Sequence, residues 1–252
     1  MLNAGVARVD ISPKVGVAHA GWGAQTHQVS LGNDMPLHVT ALVVTKDNVE
    51  LAIVDVDIGI FTNLQDKNIR ELISKESGIP FGNIRLAYTH THSGPITFGQ
   101  WIKNGIDLAN EWWNTIPAAC AKAVIEAKAT AQPARTGFGR GSCDININRR
   151  PSRDNGELFT GRNWGGAVDH SVDVVSFDDA DDNPIATIVN YAMHPTIMAH
   201  ENEWVTPDFP GPMRSVVEHT VGGLCLFLQG ASGNQGPVDG FTGDCLLYTS
   251  PS

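Results

Sequence analysis

The chain has 252 residues, with 17 Lys and Arg against 27 Asp and Glu and a formal net charge of −10 at pH 7. Hydrophobic residues make up 42% and charged residues 17%, which suits a packed core and excludes disorder as the main state. The acidic balance argues against a nucleic-acid partner, because phosphate contacts need a basic surface. No uncharged apolar run is long enough for a transmembrane segment.

Residues 5–11 alternate with period two and stop at Ser12-Pro13. Residues 36–44 and 49–56 read as two strands around the turn Lys46-Asp47-Asn48. Leu64, Ile69, Leu72 and Ile73 then recur near helical spacing, and Gly78 ends that helix. Residues 84–88 form a short strand that runs into Thr89-His90-Thr91-His92-Ser93-Gly94-Pro95. Residues 109–131 are an Ala-rich helix interrupted by Pro117. Residues 135–139 are strand-like, and 141–166 form an irregular polar stretch of the kind that carries function. Strands follow over 172–177 and 185–193, joined by the acidic turn 178–184. A helix from Phe209 or Pro210 to about Thr220 precedes a buried strand over 224–228 and the Gly-rich loop 229–237. Mixed strands and helices without an internal repeat predict an α/β fold, a layered mixed β-sheet domain flanked by helices.

The first residues lack a basic segment followed by an apolar one, so no secretory signal is expected. Cys120, Cys143, Cys225 and Cys245 are widely spaced without CxxC and read as buried thiols. Together these favour a reducing compartment, cytoplasmic by default. Residues 245–252 read like the translation of a sequencing adapter. The expectation is a partial catalytic domain over 1–244, cut near Asp244, and a non-native tail over 245–252.

His90 and His92 carry the strongest chemical signal. In extended chain, residues i and i+2 share a face, so His90-Thr91-His92 presents two imidazoles at a strand's carboxyl end. Neutral imidazole is a common zinc ligand, and a catalytic zinc takes three protein ligands and a water. His194 follows another strand, 104 residues on from His90, and sites in α/β sheets assemble at carboxyl strand ends. The predicted metal site therefore lies at strand C-terminal ends. Arg149 and Arg150 could clamp a carboxylate or an oxyanion, or could simply be solvated. Asp55 and Asp57 could orient a ligand histidine or face water. Asp208 reads as a helix N-cap. Ser232 lacks the spacing of a nucleophile elbow. His200 reads as part of a solvated loop, and His19, His27, His38, His170 and His219 as ordinary structural residues.

Four blocks, in order, resemble the N-terminal catalytic domain of the neutral/alkaline non-lysosomal ceramidases. They are residues 4–13 (AGVARVDISP), 89–95 (THTHSGP), 146–149 (NINR) and 190–196 (NYAMHPT). The resemblance implies a zinc amidohydrolase that cuts the N-acyl amide bond of ceramide or a related N-acyl lipid, in a family often secreted or membrane-associated. It implies His90 and His194 as Zn2+ ligands, His92 as a site histidine near metal or substrate, and Arg149 as the residue that positions or polarises the scissile group. The family's other two ligands, a Glu and a Tyr, lie downstream and match nothing here. The family's catalytic Ser falls on Gly236, with Ser232 four residues earlier. That departure opens two alternatives: a metallohydrolase of a non-lipid amide or ester using zinc-activated water, or a catalytically incomplete relic of the fold.

Overall fold

The computed structural model describes residues 1–19, 21–22, 24–96 and 102–240. The expected tail, Cys245 included, lies outside them. The elements are, in chain order, β1 (Leu2–Asp10), β2 (Gly32–Asn33), β3 (His38–Lys46), β4 (Val49–Val56), α1 (Asn63–Ser77), β5 (Ile84–Tyr88), α2 (Ile106–Ala129), β6 (Gln132–Pro133) and β7 (Arg135–Ser142). There follow β8 (Asn146–Asn148), β9 (Ser171–Asp178), β10 (Pro184–Tyr191), β11 (Trp204–Val205), α3 (Pro210–Val221), β12 (Leu224–Gln229) and β13 (Gln235–Pro237).

Two sheets carry the fold, one ordered β5-β4-β3-β1-β6 and the other β12-β10-β9-β7. Period-two alternation explains why the first sheet is buried on both faces. Leu2, Ala4 and Val6 of β1 and Leu42 and Val44 of β3 pack with Phe177, Ile188 and Leu226 of the second sheet. Val39, Ala41 and Val43 pack instead with Ile69 and Ile73 of α1 and Ile116, Cys120 and Val124 of α2. The layers are therefore helix, sheet and sheet, the expected α/β class. The second sheet ends in β7, which is exposed along its whole length.

Local chemistry fixes the ends. Thr62 and Gln65 form a reciprocal capping box on α1, and Gly78, at φ 78°, closes it in the left-handed conformation that glycine adopts without strain. The hairpin between β3 and β4 turns on Asp47 and Asn48 alone, so β3 runs on to Lys46 instead of stopping at Val44. Pro117 does not interrupt α2, which is continuous over 24 residues. The hydrogen bond lost there is outweighed by burial of Trp112, Ile116, Ala121 and Val124 along the same face. The stretch 141–166 is not wholly irregular: it contains β8, which pairs antiparallel with β13 far along the chain. β10 stops at Tyr191, short of Met193, because side chains replace the ladder there. Asn146 Nδ2 donates to the Ala192 carbonyl at 2.8 Å and Gln229 Nε2 to that of Met193 at 2.9 Å.

A buried ionic cluster joins the two sheets. Arg214 of α3 donates from Nη1 to Asp55 Oδ2 at 3.0 Å and from Nη2 to both oxygens of Asp57 at 2.7 Å. Arg214 is 3% exposed and both aspartates are fully buried. Asp55 Oδ2 also accepts from the Phe227 amide of β12, and Asp57 Oδ2 from the His38 amide of β3. Asp55 and Asp57 thus neither face water nor bond a site histidine, contrary to both sequence readings. Asp208 is not the N-cap of α3 either, a place taken by Phe209. Its left-handed backbone (φ 59°) turns the carboxylate towards the amides of Ile197, Met198 and Phe209. His200 is half-buried, not solvated. Cys120 and Cys225 are buried free thiols, and Cys143 is a half-buried one.

Candidate metal centre

β5 and β10 each deliver a histidine just past their carboxyl ends, and the two meet. His90 Nε2 lies 3.1 Å from His194 Nε2. The His90 and His194 ring centroids are 4.6 Å apart, and His92 stands 5.1 Å from each. One ligand atom from each of the three lies within 4.8 Å of the others, a group able to hold a metal ion. The extended geometry expected to put His90 and His92 on one face does not hold, because β5 ends at Tyr88. Instead, a left-handed turn at His90, at φ 66°, brings its ring round to its neighbours. Such backbone strain in a non-glycine residue concentrates at functional sites.

Backbone carbonyls set the tautomers. His90 Nδ1 donates to the Gly59 carbonyl at 2.6 Å, His92 Nδ1 to Gly21 at 3.0 Å, and His194 Nδ1 to Ser232 at 3.2 Å. With the proton on Nδ1 in every ring, the three Nε2 lone pairs converge, and that of His194 also faces the Arg149 Nη2 donor at 3.3 Å. Two lone pairs 3.1 Å apart repel unless a cation lies between them, and His92 Nε2 is buried with no partner. This is the arrangement in which outer carbonyls orient metal-ligating imidazoles. The donor set therefore fits a divalent cation of imidazole preference.

Electrostatics keep these rings neutral. Burial, followed by the charge of His90, pushes His92 down to about 4. Burial, then the Arg149 cation, pushes His194 down to about 2, and burial lowers His90 as well. Neutral imidazole is the ligand form. Arg149 follows β8, and its amide donates to the Asn234 carbonyl at 2.8 Å. Its Nη2 lies 3.3 Å from His194 Nε2. Burial and the neighbouring Arg150 lower the guanidinium to about 10.

The structure thus gathers His90, His92, His194 and Arg149, the four site residues expected from sequence. Gly236 of β13 lies beside Arg149: a Cβ there would sit 3.2 Å from Arg149 Cδ. Ser232 contributes its carbonyl to His194, while its hydroxyl accepts from Gln229 Nε2. Sequence reasoning missed the carbonyls of Gly21 and Gly59, the ring of Trp22 at 4.7 Å from His92, and the Arg214 cluster. None of these has a local signal, since a carbonyl belongs to every residue and Arg214 occupies an unremarkable helix position. Gln235 was missed too: it is buried, and its carbonyl accepts from the His194 amide at 3.0 Å.

Fold and site together define a layered α/β/β domain with three histidines at the carboxyl ends of two strands. Residues 2–242 match the family model for the N-terminal domain of neutral/alkaline non-lysosomal ceramidases, and the chain belongs to that family. It is 28% identical over 201 residues to a neutral ceramidase of Pseudomonas aeruginosa, covering 74% of this chain and 29% of that protein. It is 32% identical over 146 residues to neutral ceramidase B of Dictyostelium discoideum, covering 56% of this chain and 20% of that protein. The crystal structure of the Pseudomonas aeruginosa neutral ceramidase superposes with a TM-score of 0.74 at 23% identity, over 94% of this chain and 39% of that one. The chain therefore spans well under half the length of these relatives. Among the described residues no helix is long and apolar enough to cross a membrane.

Proposed function

We propose that the protein is a zinc-dependent amidohydrolase that cleaves the N-acyl amide bond of ceramide or a related N-acyl lipid. The observation that carries this reading is the convergence of three Nε2 lone pairs whose Nδ1 protons are committed to backbone carbonyls. His90 and His194 hold the metal, and the family's downstream residues complete its coordination. A bound zinc polarises an acyl carbonyl and lowers the pKa of water to about 7.

The chain's own residues supply the remainder. His92, with Nε2 buried and unpartnered, is placed to accept a hydrogen bond from the attacking water. Arg149 is placed to donate to the oxygen of the scissile carbonyl as negative charge develops on it. A narrow crevice lined by Gly21, Ile58, Gly59, Ile60, Pro95 and Trp113 shares two glycines with the histidine site and would take an apolar group.

Gly236, where the resemblance puts the family's serine, supports a second reading, hydrolysis of a non-lipid amide or ester by zinc-activated water, because this position carries no hydroxyl. Zinc content, with release of fatty acid from a short-chain fluorescent ceramide, tests both. Stoichiometric zinc with ceramide turnover supports the first reading. Zinc with turnover only of simple amides or esters supports the second. A full-length protein, downstream ligands included, that takes up no zinc would refute both and leave the incomplete relic.

A further inference from the structure

Two neighbouring arginines at the histidine site lack carboxylate partners. Arg149 donates from Nε and Nη2 to the Gly233 carbonyl at 3.3 and 3.2 Å. Arg150 donates from Nη2 to the same carbonyl at 3.2 Å and from Nη1 to Thr160 Oγ1 at 2.8 Å. One neutral oxygen therefore holds two cations side by side. Both are half-buried, where like charges repel more strongly than in water.

The same loop shows what its other arginines do. Arg153 pairs with Glu157, and Arg162 with Asp239. Arg149 and Arg150 have no carboxylate within 4.0 Å among the described residues, in a chain with 27 acidic residues. Arg149 Nη1 and Arg150 Nε also make no protein hydrogen bond there. Guanidinium groups present planar donor pairs that match the oxygens of a carboxylate or phosphate. Gly236 leaves the flank of Arg149 free of a side chain.

We propose that Arg149 and Arg150 form an oxyanion-binding subsite next to the three histidines, which selects, among the N-acyl lipids of the reading above, one with a carboxylate or phosphate near the scissile bond. The proposal rests on the hydrolase reading for the word substrate, and on the arginine geometry alone for the subsite. Arg150 then binds the anionic group, and Arg149 flanks it while serving the scissile carbonyl as proposed above. An N-acyl amino acid or an acyl phosphoamine carries such a group and should be preferred to neutral ceramide.

The test uses the metal-free full chain, so that no anion is bound through zinc. N-acetylglycine and inorganic phosphate are titrated separately by calorimetry, with neutral N-acetylglycinamide as control. Saturable binding of one anion and not of the neutral amide is expected, and the stronger of the two identifies the group. Arg150→Gln should weaken it about tenfold to a hundredfold, as loss of a charged hydrogen bond does, and Arg150→Lys should restore part of it. An unchanged melting temperature in Arg150→Gln shows that the variant is folded. Equal affinity in wild type and Arg150→Gln, or equal binding of acid and neutral amide, overturns the proposal. Zinc uptake is measured separately on the full-length protein: anion binding without zinc uptake there would uphold the subsite and remove only the hydrolase reading.

Discussion

Replacing Arg214 with Met removes the cation that ties α3 to both sheets. Two fully buried aspartates then face each other without a counter-charge. Breaking a buried ion pair from one side costs about 3–5 kcal/mol. In a chain of this size 1 kcal/mol shifts the melting temperature by about 2–4 °C, so a fall of about 6–20 °C is expected. The effect should reach the histidines. Asp57 ends the segment that leads through Ile58 to Gly59, and the Gly59 carbonyl orients His90. Loss of such an orienting contact lowers metal affinity about tenfold to a hundredfold. Thermal unfolding by circular dichroism and a zinc titration measure the two effects. The wild-type cluster holds two carboxylates for one arginine, and burial with Asp57 alongside pushes Asp55 up to about 7 in spite of Arg214. Adding Asp55→Asn and Asp57→Asn to Arg214→Met should therefore recover much of the loss. A melting temperature within about 2 °C of wild type in Arg214→Met, with zinc affinity unchanged, would refute the idea that this cluster fastens the sheets and sets His90.

In the full-length protein, downstream ligands included, His90→Ala and His194→Ala should each abolish stoichiometric zinc binding, read by metal analysis after dialysis; a variant that retains full metal would end the two-strand site. His90→Gly should lose zinc equally but melt higher than His90→Ala, because glycine relieves the left-handed backbone at φ 66° by about 1 kcal/mol. His19 is fully buried and, through burial and then His27, has its imidazole pushed down to about 4. Its folded pKa is below the unfolded value, so its stabilisation is complete above about pH 6.5 and lost as pH falls towards 4, about 3 kcal/mol in all. The stability difference between wild type and His19→Gln should therefore shrink from pH 7 to pH 4.5; parallel curves in urea unfolding would count against a neutral buried His19.

Most elements were legible because period-two and helical patterns are local. The strand of residues 84–88, the helix closed by Gly78 and the strand ending near Leu228 all follow from alternation and punctuation. The errors have one source: tertiary contacts override local rules. Pro117 looked like an interruption, yet α2 runs through it because its apolar face is buried against the first sheet. Asp208 looked like a cap, yet its carboxylate serves the turn after His194.

By itself the sequence determined the alternating layers, the pair His90 and His92 at one strand end, and the family blocks in which His194 and Arg149 stand. The resemblance implies that His90 and His194 meet, and the tertiary structure decided how: two sheets are fastened face to face through Arg214, Asp55 and Asp57. It also decided the tautomers. A histidine's bare nitrogen depends on which backbone carbonyl takes its other proton, and Gly21, Gly59 and Ser232 come from loops 71, 31 and 38 residues away along the chain. Contacts at such separations leave no periodic trace, because each residue's local pattern records only the face on which it lies and not the partner that will meet it.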